Sequence, residues 1–149
     1  MRAWVQRVAK GSVSVDGKTV GSVGRGYVVL LGVRREDTLA NAQHLAQKTV
    51  SLRIFPDADD KMNLSVQAVG GSILVISQFT LYADTRKGNR PSFIQAAPPE
   101  QAEALYEAYV EYLRHALGAD RVATGVFGAN MLVEIANDGP VSVELTSDP

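Results

Sequence analysis

The seven-residue run Tyr27-Val28-Val29-Leu30-Leu31-Gly32-Val33 places the tightest constraint on how this chain folds. It is apolar and rich in β-branched residues, and Arg25 and Arg34 bound it. Apolar side chains without polar alternation predict a strand buried on both faces. The same run is the longest apolar stretch and falls far short of the ~20 residues that a membrane helix requires. The N-terminal MRAWVQRVAKG carries charges at Arg2, Arg7 and Lys10 and lacks the apolar core of a signal peptide, so a soluble cytoplasmic protein with no membrane partner is expected. At 149 residues the chain matches the ~150 residues of a single domain, and one domain over 1–149 is the expectation.

The surrounding segments supply further elements. Val13 and Val15 alternate with Ser12 and Ser14, Asp16-Gly17 suits a two-residue hairpin loop, and Lys18 to Val23 returns. Asp37 or Thr38 can cap a helix whose Leu39, Ala42, Leu45, Ala46 and Val50 share one face and which ends near Leu52. Gly70-Gly71 opens a second apolar strand, Ser72 to Ser77, which runs into Gln78-Phe79-Thr80-Leu81. A polar segment from Ala83 to Pro98 follows, and loops of that length are disproportionately functional. Pro99 then starts a helix with the stripe Leu105, Tyr106, Tyr109, Tyr112, Leu113 and Ala116, closed by Gly118. Two tail strands, Met131 to Ala136 and Val141 to Leu145, flank the turn Asn137-Asp138-Gly139-Pro140. The chain has no internal repeat, low-complexity tract or linker, so these α+β elements should share one core.

The residue inventory removes several chemistries. There are no cysteines, hence no disulfide, thiolate metal site or cysteine nucleophile. The two histidines, His44 and His115, both fall on predicted helices, and no G-x-S-x-G is present, which argues against a Ser-His-Asp triad. Asp57-Ala58-Asp59-Asp60 resembles a cation loop only briefly: Lys61, Met62 and Ala68 stand where a calcium loop wants a ligand, a glycine and a glutamate, which leaves a solvated turn. No metal and no cofactor is expected. A net charge of −1 disfavours a grip on long nucleic acid and leaves contact with one nucleic-acid end open.

Two places carry more chemistry than their neighbours. Ser77-Gln78-Phe79-Thr80 puts three hydrogen-bonding side chains and an aromatic at the end of an apolar strand, either as local caps or facing a ligand. Gly139-Pro140 joins two strands and is either an ordinary tight turn or a device that aims consecutive carbonyls in one direction, since a prolyl bond can be cis at low cost.

Taken together, these segments resemble the D-aminoacyl-tRNA deacylase family. The likeness runs through Gln6-Arg7-Val8, Ser12 to Val15 with the Asp16-Gly17 turn, SQFTL at Ser77 to Leu81, and Lys87-Gly88-Asn89-Arg90-Pro91-Ser92-Phe93. It continues in Gly125-Val126-Phe127-Gly128-Ala129 leading to Met131, and in Asn137-Asp138-Gly139-Pro140-Val141. One departure stands out: the family pattern closes on threonine where this chain has Ser142, which keeps the hydroxyl and loses a methyl.

The resemblance implies an α+β fold of mixed β-sheets forming a partial barrel flanked by two main helices, and a homodimer. It implies hydrolysis of the ester between a D-amino acid and the 3′ end of the tRNA acceptor, and a site that works by rejecting L side chains alone should also cleave glycyl-tRNA. A cis Gly139-Pro140 would reach into the partner subunit's site and reject L-substrates, braced by Arg7. Ser77, Gln78, Phe79 and Thr80 would line the reacting ester, with Phe127 and Met131 as apolar walls. The terminal 2′-hydroxyl of the RNA would assist the reaction, with Thr80 as nucleophile the alternative. Two other readings stay open: a related deacylase acting on an L-amino acid, and a non-catalytic dimer that holds RNA 3′ ends.

Overall fold

The computed structural model describes residues 1–148. Its elements in chain order are β1 (Arg2–Val15), β2 (Lys18–Val23), β3 (Gly26–Gly32), α1 (Leu39–Ser51), β4 (Phe55–Pro56), β5 (Met62–Leu64), β6 (Ser72–Ser77), α2 (Pro99–Leu117), β7 (Val122–Thr124) and β8 (Leu132–Thr146). The main sheet runs β2-β1-β3-β6-β7, and β8 also pairs with β1. Because β1 is fourteen residues long, its first half pairs with β3 and its second half with β2, while β8 runs antiparallel along nearly all of it. The β3–β6 and β6–β7 pairs are parallel, so the sheet is mixed.

The curl of this sheet nearly closes it. A Cβ on Gly21 of β2 would lie 2.5 Å from the carbonyl oxygen of Thr124 in β7, so the two edge strands meet there and only glycine fits. The result is the partial barrel flanked by two helices that the family resemblance implied. β3 explains why its sequence lacks alternation. Tyr27, Val29 and Leu31 pack under the helices, while Val28 joins Val8, Val13, Leu74 and Ile76 inside the curl. Each such fully buried aliphatic side chain stabilises the fold by roughly 1.5–3 kcal/mol.

The hairpin between β1 and β2 turns on Asp16 and Gly17, with φ of 50° and 79°, as its Asp-Gly sequence predicts. In α1 the buried residues are Ala42, Leu45, Ala46, Thr49 and Val50; Leu39, in the first turn, is instead exposed. Thr49 takes the inward place, its Oγ1 2.8 Å from the phenol oxygen of Tyr109 on α2. Thr38 is the residue before α1, and its N–H donates to Asn41 Oδ1 at 2.8 Å. Asp37 does not cap: it is buried and accepts from the Met1 amino group at 2.6 Å. In α2, Val110 replaces Ala116 in the expected stripe. The acidic run is the solvated turn between β4 and β5, where Asp57 Oδ1 accepts from the N–H groups of Asp59 and Lys61.

The tail departs most from expectation. Its two strands are one, β8, unbroken from Leu132 to Thr146. Asn137–Pro140 is no hairpin turn but an outward bulge within β8: Gln6 pairs with Ser142 and Val8 with Asn137, so two steps on β1 face five on β8. A turn sequence inside a long strand can be absorbed this way when the flanking halves pair with the same neighbour.

Candidate active site

A cavity of about 630 Å³ opens where β3 and β6 end. Ser77 closes β6, paired with Leu31, and Gln78 N–H donates to the Leu31 carbonyl at 2.8 Å. The chain then leaves the sheet and winds into a 3₁₀ turn, Phe79–Tyr82. This break sets the direction of the SQFTL side chains, which a continued strand would have alternated between two faces. Ser77, Gln78, Phe79, Phe127 and Met131 all line the cavity. Thr80 sits exposed just beyond them, its hydroxyl accepting from the Gln78 side-chain amide.

Aromatic contacts brace the walls. Phe93 meets Phe79 edge to face with ring centroids 5.0 Å apart, which ties the Ala83–Pro98 segment to the 3₁₀ turn. Phe127 rests 5.9 Å from the ring of Tyr106, whose hydroxyl donates to the Val75 carbonyl at 3.0 Å. Burial pushes that phenol up to about 12. Arg35, Ala96, Ala97, Pro98 and Pro99 complete the rim, residues that sequence reasoning did not single out. The available signals were the arginine pair one residue after β3 and the Pro-Pro step that opens α2.

Arg35 is the only titratable side chain among the lining residues. His44 and His115 are both exposed on the helices, away from this cavity. Among the described residues, no group of histidines, cysteines or carboxylates is arranged to hold a metal. The cavity therefore offers hydrogen bonding and shape, with no lining base to activate a nucleophile.

The second motif lies elsewhere. The Gly139–Pro140 peptide is cis, Gly139 has φ of 125°, and residues 137–140 are exposed. Arg7 lies under the bulge with two carbonyls in its grip: Nε donates to Asp138 O at 3.0 Å and Nη1 to Ile54 O at 2.6 Å. A Cβ on Gly139 would come within 3.0 Å of Arg7 Nη2. Arg7 pairs with Tyr27, at the start of β3, whereas Leu31 lines the cavity at its end. Four residues of strand put ~13 Å between those levels. Within one subunit the two motifs are not brought together.

The sequence profile of the family described as D-Tyr-tRNA(Tyr) deacylase matches residues 4–146. A D-aminoacyl-tRNA deacylase of Anaeromyxobacter dehalogenans is 58% identical over 147 residues, covering 99% of this chain and 97% of the relative. The chain belongs to the D-aminoacyl-tRNA deacylase family. A second family member, from Symbiobacterium thermophilum, is 55% identical with the same coverage of both chains. Among solved structures, one titled c-Myc DNA Unwinding Element Binding Protein superposes with a TM-score of 0.95 at 44% identity and full coverage of both chains. Another, titled as a probable eukaryotic D-amino acid tRNA deacylase, has a TM-score of 0.84 at 21% identity over 97% of each chain and shares the fold.

Membership makes this deacylase an ester hydrolase acting on D-aminoacyl-tRNA, a quality-control reaction of translation. No described helix is long and apolar enough to cross a membrane.

Proposed function

We propose that the β3/β6 cavity of this deacylase holds the esterified terminal adenosine, and that Gly139-Pro140 of a second copy completes the site in a homodimer. The observation that carries this reading is the separation of the two motifs: an exposed, braced cis-prolyl bulge has nothing to act on in its own subunit. In the partner's cavity, the Gly139 and Pro140 carbonyls would face the α-amino group and α-carbon of the substrate. Ser77, Gln78, Phe79 and Thr80 position the ester, while Phe127 and Met131 bound it on the apolar side. The N–H groups that begin the 3₁₀ turn, at Phe79 and Thr80, would stabilise the oxyanion.

With no base in the lining, the attacking oxygen has to be activated by the substrate. The terminal 2′-OH of the RNA serves this role, and holding it in line with the ester carbonyl supplies up to ~7–11 kcal/mol of barrier reduction. Residues 1–149 act as one deacylase domain, and the reaction belongs in the cytoplasm, where aminoacyl-tRNA is used. Catalysis, rather than protective binding of an RNA 3′ end, follows from the family's activity.

Rigid backbone placed where an L side chain would project rejects L-esters without reading the D side chain. Discrimination of ~10⁴ needs about 5.5 kcal/mol, within reach of one such clash. Glycine has nothing to clash, so glycyl-tRNA should be cleaved. Single-turnover rates on D-Tyr, D-Asp, L-Tyr and Gly esters of their tRNAs test this. Cleavage of all but L-Tyr is expected; rejection of glycine alongside L-Tyr would mean that the pocket reads the D side chain, and would end the backbone-filter reading.

A further inference from the structure

We infer that the basic loop 85–91 is a phosphate clamp for the single-stranded 3′ end of the RNA whose ester occupies the cavity, with Lys87 and Arg90 as its contacts. The inference rests on the deacylase reading of that cavity. The loop is a formed structure. Asp84 and Ser92 close it with a reciprocal backbone pair, at 2.7 and 2.9 Å. Its return leg is stapled to the cavity rim, where Arg35 donates from Nε to Ile94 O at 2.7 Å and from its backbone N–H to Gln95 O at 3.2 Å. Phe93, the next residue after the closing pair, is itself a wall of the cavity and packs against Phe79. A second cavity of about 550 Å³, lined by Asp84, Arg86, Lys87 and Ser92, thus adjoins the first across the Ser92–Phe93 peptide.

The loop's charges divide into one spent pair and two free cations. Arg86 holds Asp84 through Nε at 2.9 Å and Nη2 at 2.6 Å, and this pairing draws the Asp84 carboxyl down to about 2. The acid at the loop's base is therefore occupied. Among the described residues, Lys87 and Arg90 have no carboxylate within 4 Å, and residues 85–91 are all exposed. On a chain of net charge −1, two unpaired cations on one short loop, Lys87 of them lining the second cavity, give that loop a local positive field. An RNA strand leaving that cavity carries one phosphate per nucleotide, so its first phosphodiesters are the chemistry that such a pair recognises.

The test compares D-tyrosyl-tRNA with the D-tyrosyl ester of adenosine, which lacks the strand. The Lys87→Ala/Arg90→Ala protein should lose about 25-fold in kcat/KM on the tRNA at 0.1 M salt relative to 1 M, and its log–log salt slope should flatten by roughly 1.4, for two single-strand phosphate contacts. The loss should lie in KM, be largely restored in Lys87→Arg/Arg90→Lys, and vanish on the adenosine ester. Equal losses on both substrates would mean that the loop only shapes the pocket, and an unchanged salt slope would mean that it meets no phosphate; either overturns the inference. Wild-type protein that cleaves neither substrate would remove the deacylase reading itself, and this inference with it.

Discussion

Arg7 Nε donates a hydrogen bond to the carbonyl oxygen of Asp138 at 3.0 Å, one residue before the cis Gly139–Pro140 bond. Its Nη1 holds Ile54 O at 2.6 Å, so one planar guanidinium joins the β8 bulge to the segment after α1. Lysine cannot reproduce this, because a single ammonium cannot satisfy two diverging carbonyls with fixed geometry. Arg7→Lys is expected to cost about 1–3 kcal/mol of stability and to raise cleavage of L-Tyr-tRNA relative to D-Tyr-tRNA. Thermal melting and the D/L ratio of kcat/KM check it. An intact ratio would separate Arg7 from selectivity.

The exposed bulge should act across subunits. Gly139→Val places a side chain at φ of 125° and against Arg7, so homodimers of this variant should be inactive. Thr80→Trp should block the cavity mouth. Mixed in one solution, the two variants should regain part of the activity, since one site of the heterodimer carries neither lesion. Sedimentation of a fully active monomer at low concentration would refute the arrangement.

Thr80→Ala should keep substantial activity. Its hydroxyl already accepts a hydrogen bond from Gln78, and no histidine or carboxylate lines the cavity to take its proton. A D-aminoacyl-tRNA lacking the terminal 2′-OH should be cleaved far more slowly. If the alanine variant loses as much rate as the deoxy substrate, Thr80 is the nucleophile.

Stability should fall steeply at alkaline pH. Burial raises the ionisation of Tyr27, Tyr82, Tyr106 and Tyr109 above the ordinary phenol value, Tyr106 to about 12. Above pH ~10 the unfolded chain loses these protons while the folded chain keeps them. Each such tyrosine adds up to about 1.4 kcal/mol per pH unit to the fall in unfolding free energy, until its folded form also ionises. Urea midpoints measured from pH 8 to 12 should drop beyond pH ~10. Tyr109→Phe, which also removes the contact with Thr49, should soften the drop.

Local pattern in the sequence determined the elements whose cause is local. The run at Tyr27 to Val33 reads as a strand because both its faces are covered, and Asp16-Gly17 reads as a hairpin because those residues accept positive φ. Pro99 and Gly118 bracket α2 because each suits one end of a helix only. The SQFTL and Gly-Pro segments were legible as unusual chemistry for the same reason: the residues themselves are out of place in an ordinary strand.

Tertiary structure decided what depends on partners far along the chain. Asn137–Pro140 has the composition of a turn, yet β1 pairs with β8 on both sides of it and turns it into a bulge over Arg7, 130 positions away. Leu39 has the periodicity of a core residue but faces solvent, because which turns of a helix are covered is set by the elements packed against it. The rim formed by Arg35, Ala96, Ala97, Pro98 and Pro99 exists only once β3 and the Ala83–Pro98 segment are side by side. The ~13 Å of strand between the Arg7 level and the cavity level is likewise a property of register, which hydrogen bonds between distant strands decide and no window of sequence contains.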